Sequence, residues 1–270
     1  MAQLTGERPR QGVTPDSLLA LHEAGYREVR SRLGSGRVLD VGCGEGFSSR
    51  TLAGPSRSVV GVDYSGEAVI AASVAGGGDG LKVAQMDATA LGIAGGSFDW
   101  ACSSHLVEHF ADPAAHVGEV SRVLAPGGTA FFITPNRPAD FENPFHIVLF
   151  DPGELRSLLS QFFGDVTVLG LDGSASVKAD FAARRAKAER ILALDFLDLR
   201  HRMPRRWYIA LYTHLLPLAY RIMARSATGG STGITDRDFS VTTAIDTTTL
   251  VLFAIAREPR RAAGGTKPRV

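Results

Sequence analysis

The sequence contains little cysteine: Cys43 and Cys102 are the only two among 270 residues. Neither a CxxC pair nor the Cys-His spacing typical of zinc ligands is present. A disulfide framework and a cysteine-based metal site are therefore excluded, and we expect a reduced, metal-free, cytoplasmic protein. The first 30 residues also lack the continuous apolar segment of a secretory signal.

The sequence also lacks an excess of charge of one sign, because 29 Lys and Arg stand against 28 Asp and Glu. Proteins that bind nucleic acid non-specifically usually carry a clear basic excess, so we do not expect a nucleic-acid partner. Long apolar runs are scarce as well. The uncharged segment 207–220 is too short to span a bilayer and contains Pro217.

Three glycines on alternate residues follow an apolar segment that reads as a buried strand, 38–41. Gly42, Gly44 and Gly46 predict a turn in which a ligand can approach the backbone closely. Dinucleotide-binding turns place their third glycine three residues after the second, where this chain has Phe47. A Gly-Lys-Ser/Thr phosphate loop is also absent. The turn therefore indicates a nucleoside ligand of a different kind.

Acidic residues follow two further predicted strands. Residues 57–62 form an apolar strand that ends at Asp63, where a carboxylate can accept two hydrogen bonds from a ribose diol. The alternative is that Asp63 caps a helix that begins near Ser65. Residues 81–86 form a short third strand that is followed by Asp87.

The next segments complete a family pattern: a strand at 97–104, a His-Leu-Val-Glu-His-Phe segment at 105–110, a helix from Asp112-Pro113, and Arg-Val-Leu-Ala-Pro-Gly-Gly at 122–128. Over about residues 35–172 the chain resembles the class I S-adenosylmethionine-dependent methyltransferases of the type 11-like group. The resemblance implies an α/β fold with a doubly wound, mostly parallel seven-stranded sheet and a helical insert between strands six and seven.

The resemblance also implies S-adenosyl-L-methionine as the cofactor. In the family, the acidic residue after strand three takes the adenine amino group, which corresponds to Asp87. The implied cofactor-binding residues are Asp40, Gly42, Cys43, Gly44, Gly46, Asp63, Tyr64, Met86, Asp87, Ala88, Ser103 and Ser104.

The sequence also predicts how the chain is divided. We expect flexible termini at 1–13 and 259–270, a cofactor-binding core at 14–176, a helical insert at 177–236, and a last strand region at 237–258. The leading helix, predicted from Pro15 to Arg32, either packs over the mouth of the cofactor site or covers the sheet. The insert is a structural helical pair, a lid over the acceptor, or, through 200–225, a peripheral membrane contact.

Two histidines are candidates for a general base, since imidazole can take a proton near neutral pH. His146 lies in the loop after strand five, and His105 follows strand four; each is alternatively a hydrogen-bonded structural group. Glu108 and His109 match the family signature, and we expect them to organise the helix beside the site.

The absence of two sequence motifs narrows the range of expected acceptors. Amino-methylating enzymes often carry an Asp/Asn-Pro-Pro-aromatic turn after strand four, but residues 103–106 of this chain are Ser-Ser-His-Leu. A Pro-Cys nucleophile is also absent at this position. We therefore expect methylation of a small-molecule, glycan or lipid-like acceptor, at oxygen. The alternatives are a non-catalytic cofactor-binding partner subunit and a protein or RNA methyltransferase that uses the basic insert. The oligomeric state is not predicted.

Overall fold

The computed structural model describes residues 14–75, 80–140, 145–192 and 233–260. Helices and strands alternate over most of this length. In chain order they are α1 (Asp16–Arg32), β1 (Gly36–Val41), α2 (Phe47–Arg50), β2 (Arg57–Asp63), α3 (Gly66–Ala75), β3 (Leu81–Gln85), β4 (Phe98–Ser104), a 3-10 turn (Val107–His109), α4 (Pro113–Val123), β5 (Leu124–Pro135), α5 (Pro152–Leu159), β6 (Phe163–Gly173), α6 (Ala175–Leu192), a 3-10 turn (Asp236–Asp238), β7 (Phe239–Thr242) and β8 (Val251–Pro259).

One sheet contains all eight of these strands in the order β3-β2-β1-β4-β5-β8-β6-β7. Strands β1 to β5 pair in parallel, and β8 is antiparallel to both β5 and β6. The predicted doubly wound α/β fold is confirmed. The strand count of seven was too low, because the four-residue β7 adds an antiparallel edge to the end of β6.

The central strands are buried on both faces, as expected for parallel strands covered by helices. Val38, Leu39 and Val41 of β1 are fully buried, and so are Phe131 and Phe132 of β5. Consecutive residues contribute to two core layers on opposite faces of the sheet. This apolar burial fixes the strands whose carboxyl ends carry the polar residues of the site.

Within the predicted strand region 237–258, β8 begins only at Val251. Oδ1 of Asp246 accepts hydrogen bonds from the backbone amides of Thr248 and Thr249, at 2.7 and 3.1 Å. This side-chain turn holds residues 246–249 outside the sheet, so that pairing starts at Val251.

Helix α5 begins with a capping box formed by Asp151 and Glu154. Asp151 accepts from the Glu154 amide at 2.9 Å, and Glu154 Oε2 accepts from the Asp151 amide at 3.0 Å. Helix α1 matches its predicted bounds closely, and Ala20, Leu21 and Val29 bury one of its faces against the sheet.

Several predicted regions lie outside the described residues: the N-terminus at 1–13, residues 141–144, most of the insert including all of 200–225, and the tail from 261. The described start of the insert is helical, since α6 runs to Leu192. Among the described helices, none has the length and apolar character needed to cross a membrane.

Candidate cofactor and acceptor site

A cavity of about 360 Å³ lies at the carboxyl ends of the parallel strands. It opens where the strand order reverses, between β1 and its neighbours β2 and β4, which is the usual ligand position in open α/β sheets. Its walls come from α1, from the glycine loop after β1, and from the residues that follow β2, β3 and β4. The volume suits a small organic ligand.

The glycine loop needs its glycines for backbone geometry. Gly42, Gly44 and Gly46 have φ angles of 80°, 54° and 75°, in the left-handed region that other residues rarely adopt. A Cβ on Gly42 would meet Leu106 at 3.0 Å, whereas a Cβ on Gly44 would meet nothing within 4 Å. All three glycines and Cys43 line the cavity, and their contact with a cofactor stays a prediction.

Asp63 ends β2 and lines the cavity. Its Oδ2 accepts from the Gly44 amide at 2.9 Å, and its Oδ1 accepts from the Ser65 amide at 2.8 Å. Ser65 Oγ in turn accepts from the Ala68 amide at 3.3 Å, in the first turn of α3. Asp63 therefore holds both the glycine loop and the start of α3. A carboxylate has about four acceptor positions, so these bonds leave capacity for a ligand diol.

Two predicted cofactor-binding residues lie beneath the cavity and outside its lining. Asp40 is fully buried and accepts from Ser49 Oγ at 2.5 Å and from the Tyr26 hydroxyl at 3.1 Å. Burial raises the pKa of Asp40 to about 6. Ser103 Oγ is 2.9 Å from Nε2 of the buried His116. Both residues support the floor of the site, and direct contact with a cofactor remains a prediction for them.

Three predicted cofactor-binding residues that follow β3 line the cavity, namely Met86, Asp87 and Ala88. Asp87 Oδ1 accepts from the backbone amide and the hydroxyl of Thr89, at 2.8 and 2.7 Å, and these bonds hold the pKa of Asp87 below its usual value. The carboxylate is therefore charged at neutral pH. Tyr64 stands at the rim, with 76% of its surface exposed.

Two imidazoles line the opposite wall. His105 and His22 have their ring centroids 4.3 Å apart. His105 has a φ of 51°, in the left-handed region, and its amide donates to the Ile133 carbonyl at 2.7 Å. Burial lowers the pKa of His22 well below its ordinary value, and the neighbouring His105 lowers it further. The His22 ring is therefore neutral at physiological pH.

His22 was not among the predicted site residues. It shares one face of α1 with Leu19, Glu23 and Tyr26, which all line the cavity. Their spacing of three and four residues is visible in the sequence and could have indicated this face. Helix α1 therefore has two contact faces. One face packs in the core against the sheet, and another forms part of the cavity wall.

The structure separates the two predicted bases. His105 lines the cavity, whereas His146 lies outside the lining, with its ring edge-on to His109 at a centroid distance of 5.2 Å. His146 Nδ1 is 3.0 Å from Oδ1 of Asp140. The buried Glu108 accepts from the Thr134 hydroxyl at 3.0 Å, and its other oxygen lies 3.6 Å from His105 Nδ1. Ser104, also predicted, lines the cavity.

Comparisons with known proteins agree with this arrangement. A sequence model of the methyltransferase domain family matches residues 39–132. The chain is 33% identical over 163 residues to a probable S-adenosylmethionine-dependent methyltransferase of Mycolicibacterium smegmatis, covering 58% of this chain and 63% of that protein. It is 34% identical over 116 residues to a ubiquinone biosynthesis O-methyltransferase of Burkholderia vietnamiensis, covering 42% and 50%. The chain thus spans less than two thirds of the curated relatives it matches.

The solved structures with similar folds include both methyltransferases and another enzyme. A methyltransferase of Thermotoga maritima, described as a possible histamine N-methyltransferase, superposes with a TM-score of 0.56 at 14% identity, covering 90% of this chain and 91% of that one. The [4+2]-cyclase SpnF also gives 0.56, at 18% identity, covering 88% and 81%. Residues 39–132 thus match the methyltransferase domain family, and the described fold is similar to that of solved S-adenosylmethionine-dependent methyltransferases.

Proposed function

We propose that this chain binds S-adenosyl-L-methionine and transfers its methyl group to an oxygen of a small-molecule, sugar or lipid-like acceptor. The observation that carries the proposal is the shared cavity: Asp63 and the glycine loop form one wall, and His105 forms another. A nucleoside-binding carboxylate and a candidate base thus face the same space of about 360 Å³. The match of residues 39–132 to the methyltransferase domain family and the similarity to S-adenosylmethionine-dependent relatives support the cofactor assignment.

The residues present fit the cofactor. Asp63 would accept the ribose hydroxyls, while Asp87 would accept from the adenine amino group, since both carboxylates sit at neighbouring strand ends and line the cavity. The left-handed glycines keep the loop free of side chains where the ligand meets the backbone. When bound, the cofactor supplies an electrophilic methyl group on a sulfonium, ready for in-line displacement.

The protein would then contribute position and proton transfer. A neutral hydroxyl is a poor nucleophile, so a base close to it raises the rate. His105 Nδ1 faces the Glu108 carboxylate at 3.6 Å, which leaves Nε2 as the atom to receive the acceptor proton. The neutral His22 ring beside it adds no competing positive charge. Of the two candidate bases, we therefore prefer His105, which lines the cavity, to His146, which does not.

Oxygen is preferred as the methylated atom because relatives at 34% identity are named as ubiquinone biosynthesis O-methyltransferases. A second candidate function is cofactor binding without methyl transfer, in which the chain supports a partner or another reaction. The similarity in fold to the [4+2]-cyclase SpnF supports this second candidate function, because that protein is named for a reaction other than methyl transfer.

The experiment is calorimetric titration of the full chain with S-adenosylmethionine and S-adenosylhomocysteine, with NAD as the control ligand. Binding of both sulfur nucleosides and none of NAD supports the cofactor assignment. An acceptor screen with hydroxylated sugars, lipids and phenols then follows the mass increase of one methyl group. Folded protein that binds neither nucleoside contradicts the proposal. Binding without turnover on any acceptor class favours the second candidate.

A further inference from the structure

Three side chains with metal-binding atoms meet beside the cavity. Glu108 and His109 lie in the 3-10 turn after β4, and His146 comes from the segment after β5. One potential ligand atom of each lies within 4.8 Å of those of the other two. His109 also lines the cavity, so this group borders the space assigned to the ligands.

The hydrogen bonds of both histidines set the tautomer that a metal ligand needs. His109 Nδ1 is 3.0 Å from the Phe145 carbonyl oxygen, and His146 Nδ1 is 3.0 Å from Oδ1 of Asp140. Both partners are acceptors, so each Nδ1 carries the proton and each Nε2 presents a lone pair. Histidines that bind metal almost always donate their other N–H to a carboxylate or a backbone carbonyl in this way.

The carboxylate of Glu108 provides an independent observation. Its side chain is completely buried, and Oε1 has no hydrogen-bond partner in the described part of the chain, since His105 Nδ1 at 3.6 Å is too distant. A buried carboxylate oxygen without a hydrogen bond is costly unless a cation accompanies it.

We propose that Glu108, His109 and His146 bind a divalent transition-metal ion. Two imidazole nitrogens and one carboxylate oxygen suit Zn²⁺, Co²⁺ or Fe²⁺ better than Mg²⁺ or Ca²⁺, which prefer oxygen ligands. Three protein ligands also leave at least one coordination position open. Around a tetrahedral ion with bonds of about 2.0–2.1 Å the ligand atoms would be about 3.3 Å apart, so the group would close by at most about 1.5 Å on binding.

The site also has a consequence for the acceptor, which rests on the proposed function. Because His109 forms part of the cavity wall, an ion on its Nε2 would stand near the end of the cavity occupied by His105. A hydroxyl oxygen entering the open coordination position would lose its proton more readily. A metal ion at this site would therefore favour acceptors that can chelate or ligate it, such as vicinal diols and catechols.

The site was not visible as a sequence motif. Its ligands do not follow a cysteine-based spacing: two of them are adjacent residues, and the return of the chain after β5 brings the third, a histidine, to them. The amides of Ile147 and Val148 both donate to the Glu108 carbonyl, at 2.8 and 3.1 Å, and these bonds fix His146 against the turn.

The test uses the full chain without an affinity tag, stripped of metal by a chelator and titrated with Zn²⁺ by calorimetry and with Co²⁺ by visible absorption. We expect one ion per chain. Glu108→Gln and His146→Gln should each weaken binding by at least about tenfold. Glu67→Gln removes an exposed carboxylate from α3 and should bind the metal as the native chain does.

Circular dichroism of each variant and titration with S-adenosylhomocysteine accompany these measurements. The absence of saturable binding by folded native chain, or unchanged affinity in both variants, would overturn the proposal even where the nucleoside still binds. If both variants unfold, X-ray absorption of the Zn²⁺-loaded native chain decides: two imidazoles and a carboxylate in the coordination shell support the site, and a shell without imidazole rejects it. Loss of nucleoside binding alone bears on the proposed function and not on the metal.

Discussion

The backbone amide of Gly44 donates to Oδ2 of Asp63 across 2.9 Å, which joins the glycine loop after β1 to the carboxyl end of β2. This bond makes the two strongest sequence signals parts of one unit. The carboxylate that would hold the ribose also holds the loop in its left-handed conformation. Loop geometry and ligand affinity should therefore change together when Asp63 is altered.

Replacing Asp63 by alanine should weaken binding of S-adenosylhomocysteine by about 1–3 kcal/mol, the usual cost of losing hydrogen bonds to a charged group. Calorimetry measures the loss. Asp165→Ala is the matched control, since its exposed carboxylate only pairs with Arg257 on the far part of the sheet. Equal affinities for native and D63A protein would remove Asp63 from the binding site.

Replacing each of three glycines by alanine in separate variants should distinguish the cost of backbone strain from the cost of steric crowding. Gly44→Ala introduces only the left-handed strain, about 1–2 kcal/mol, because nothing lies within 4 Å of the new Cβ. Gly42→Ala adds the contact with Leu106 at 3.0 Å and should lose more. Gly92→Ala has neither problem and should be neutral or slightly stabilising. Denaturant unfolding gives the order, and G44A as costly as G42A would contradict this account.

Replacing His105 by asparagine should lower turnover by about 10²–10⁴-fold once an acceptor is known, as expected for loss of a general base. Asparagine tolerates the left-handed backbone, so the fold is preserved. Affinity for S-adenosylhomocysteine should stay close to native, which calorimetry measures. A folded variant that retains native turnover would assign the base to another group.

Asp40 should make the free energy of unfolding depend on pH. Burial raises its pKa to about 6, whereas the unfolded carboxyl has a pKa near 3.9, so the native state binds the proton more tightly. Its contribution is therefore complete below about pH 4 and is lost as the pH rises through 6, by about 3 kcal/mol. Asp40→Asn keeps the shape and cannot ionise.

The measurement is the free energy of unfolding of native and D40N protein from pH 4 to 7. Relative to the variant, the native chain should lose about 2–3 kcal/mol over this interval. His116 has the opposite effect, because burial lowers its pKa to about 4 and stability falls as it becomes protonated. That contribution is common to both proteins and cancels in the difference. A difference that does not change with pH would mean that Asp40 is ionised at little cost.

Much of the fold could be predicted because its central strands are continuous apolar runs followed by glycine or aspartate. Such signals are local in sequence, and the positions of Asp63 and Asp87 follow from them directly. Strand β7 could not be predicted in this way, since four residues of mixed character become a strand only by pairing with residues 170–173 of β6.

In the candidate site, too, the residues encoded by one short segment were predictable and those positioned by tertiary contacts were not. The glycine loop and the strand-end carboxylates were predictable, since one short segment encodes each of them. The pairing of His22 with His105 depends on how α1 packs over the sheet, and the position of His146 depends on two backbone hydrogen bonds to Glu108. The spacing along α1 could indicate the face that carries His22, but its contact with His105 and the position of His146 are created only by folding.

Strand β8 lies between β5 and β6, although the chain reaches it only after the long insert. Its alternate residues enter both core layers, with Leu252 and Ala254 on one face and Phe253 and Ile255 on the other. During synthesis, β5 and β6 therefore cannot be joined until residues 251–259 have left the ribosome. Removing β8 would divide the sheet and expose both core layers. The nascent chain therefore needs β8 before the sheet can become continuous and resist proteases.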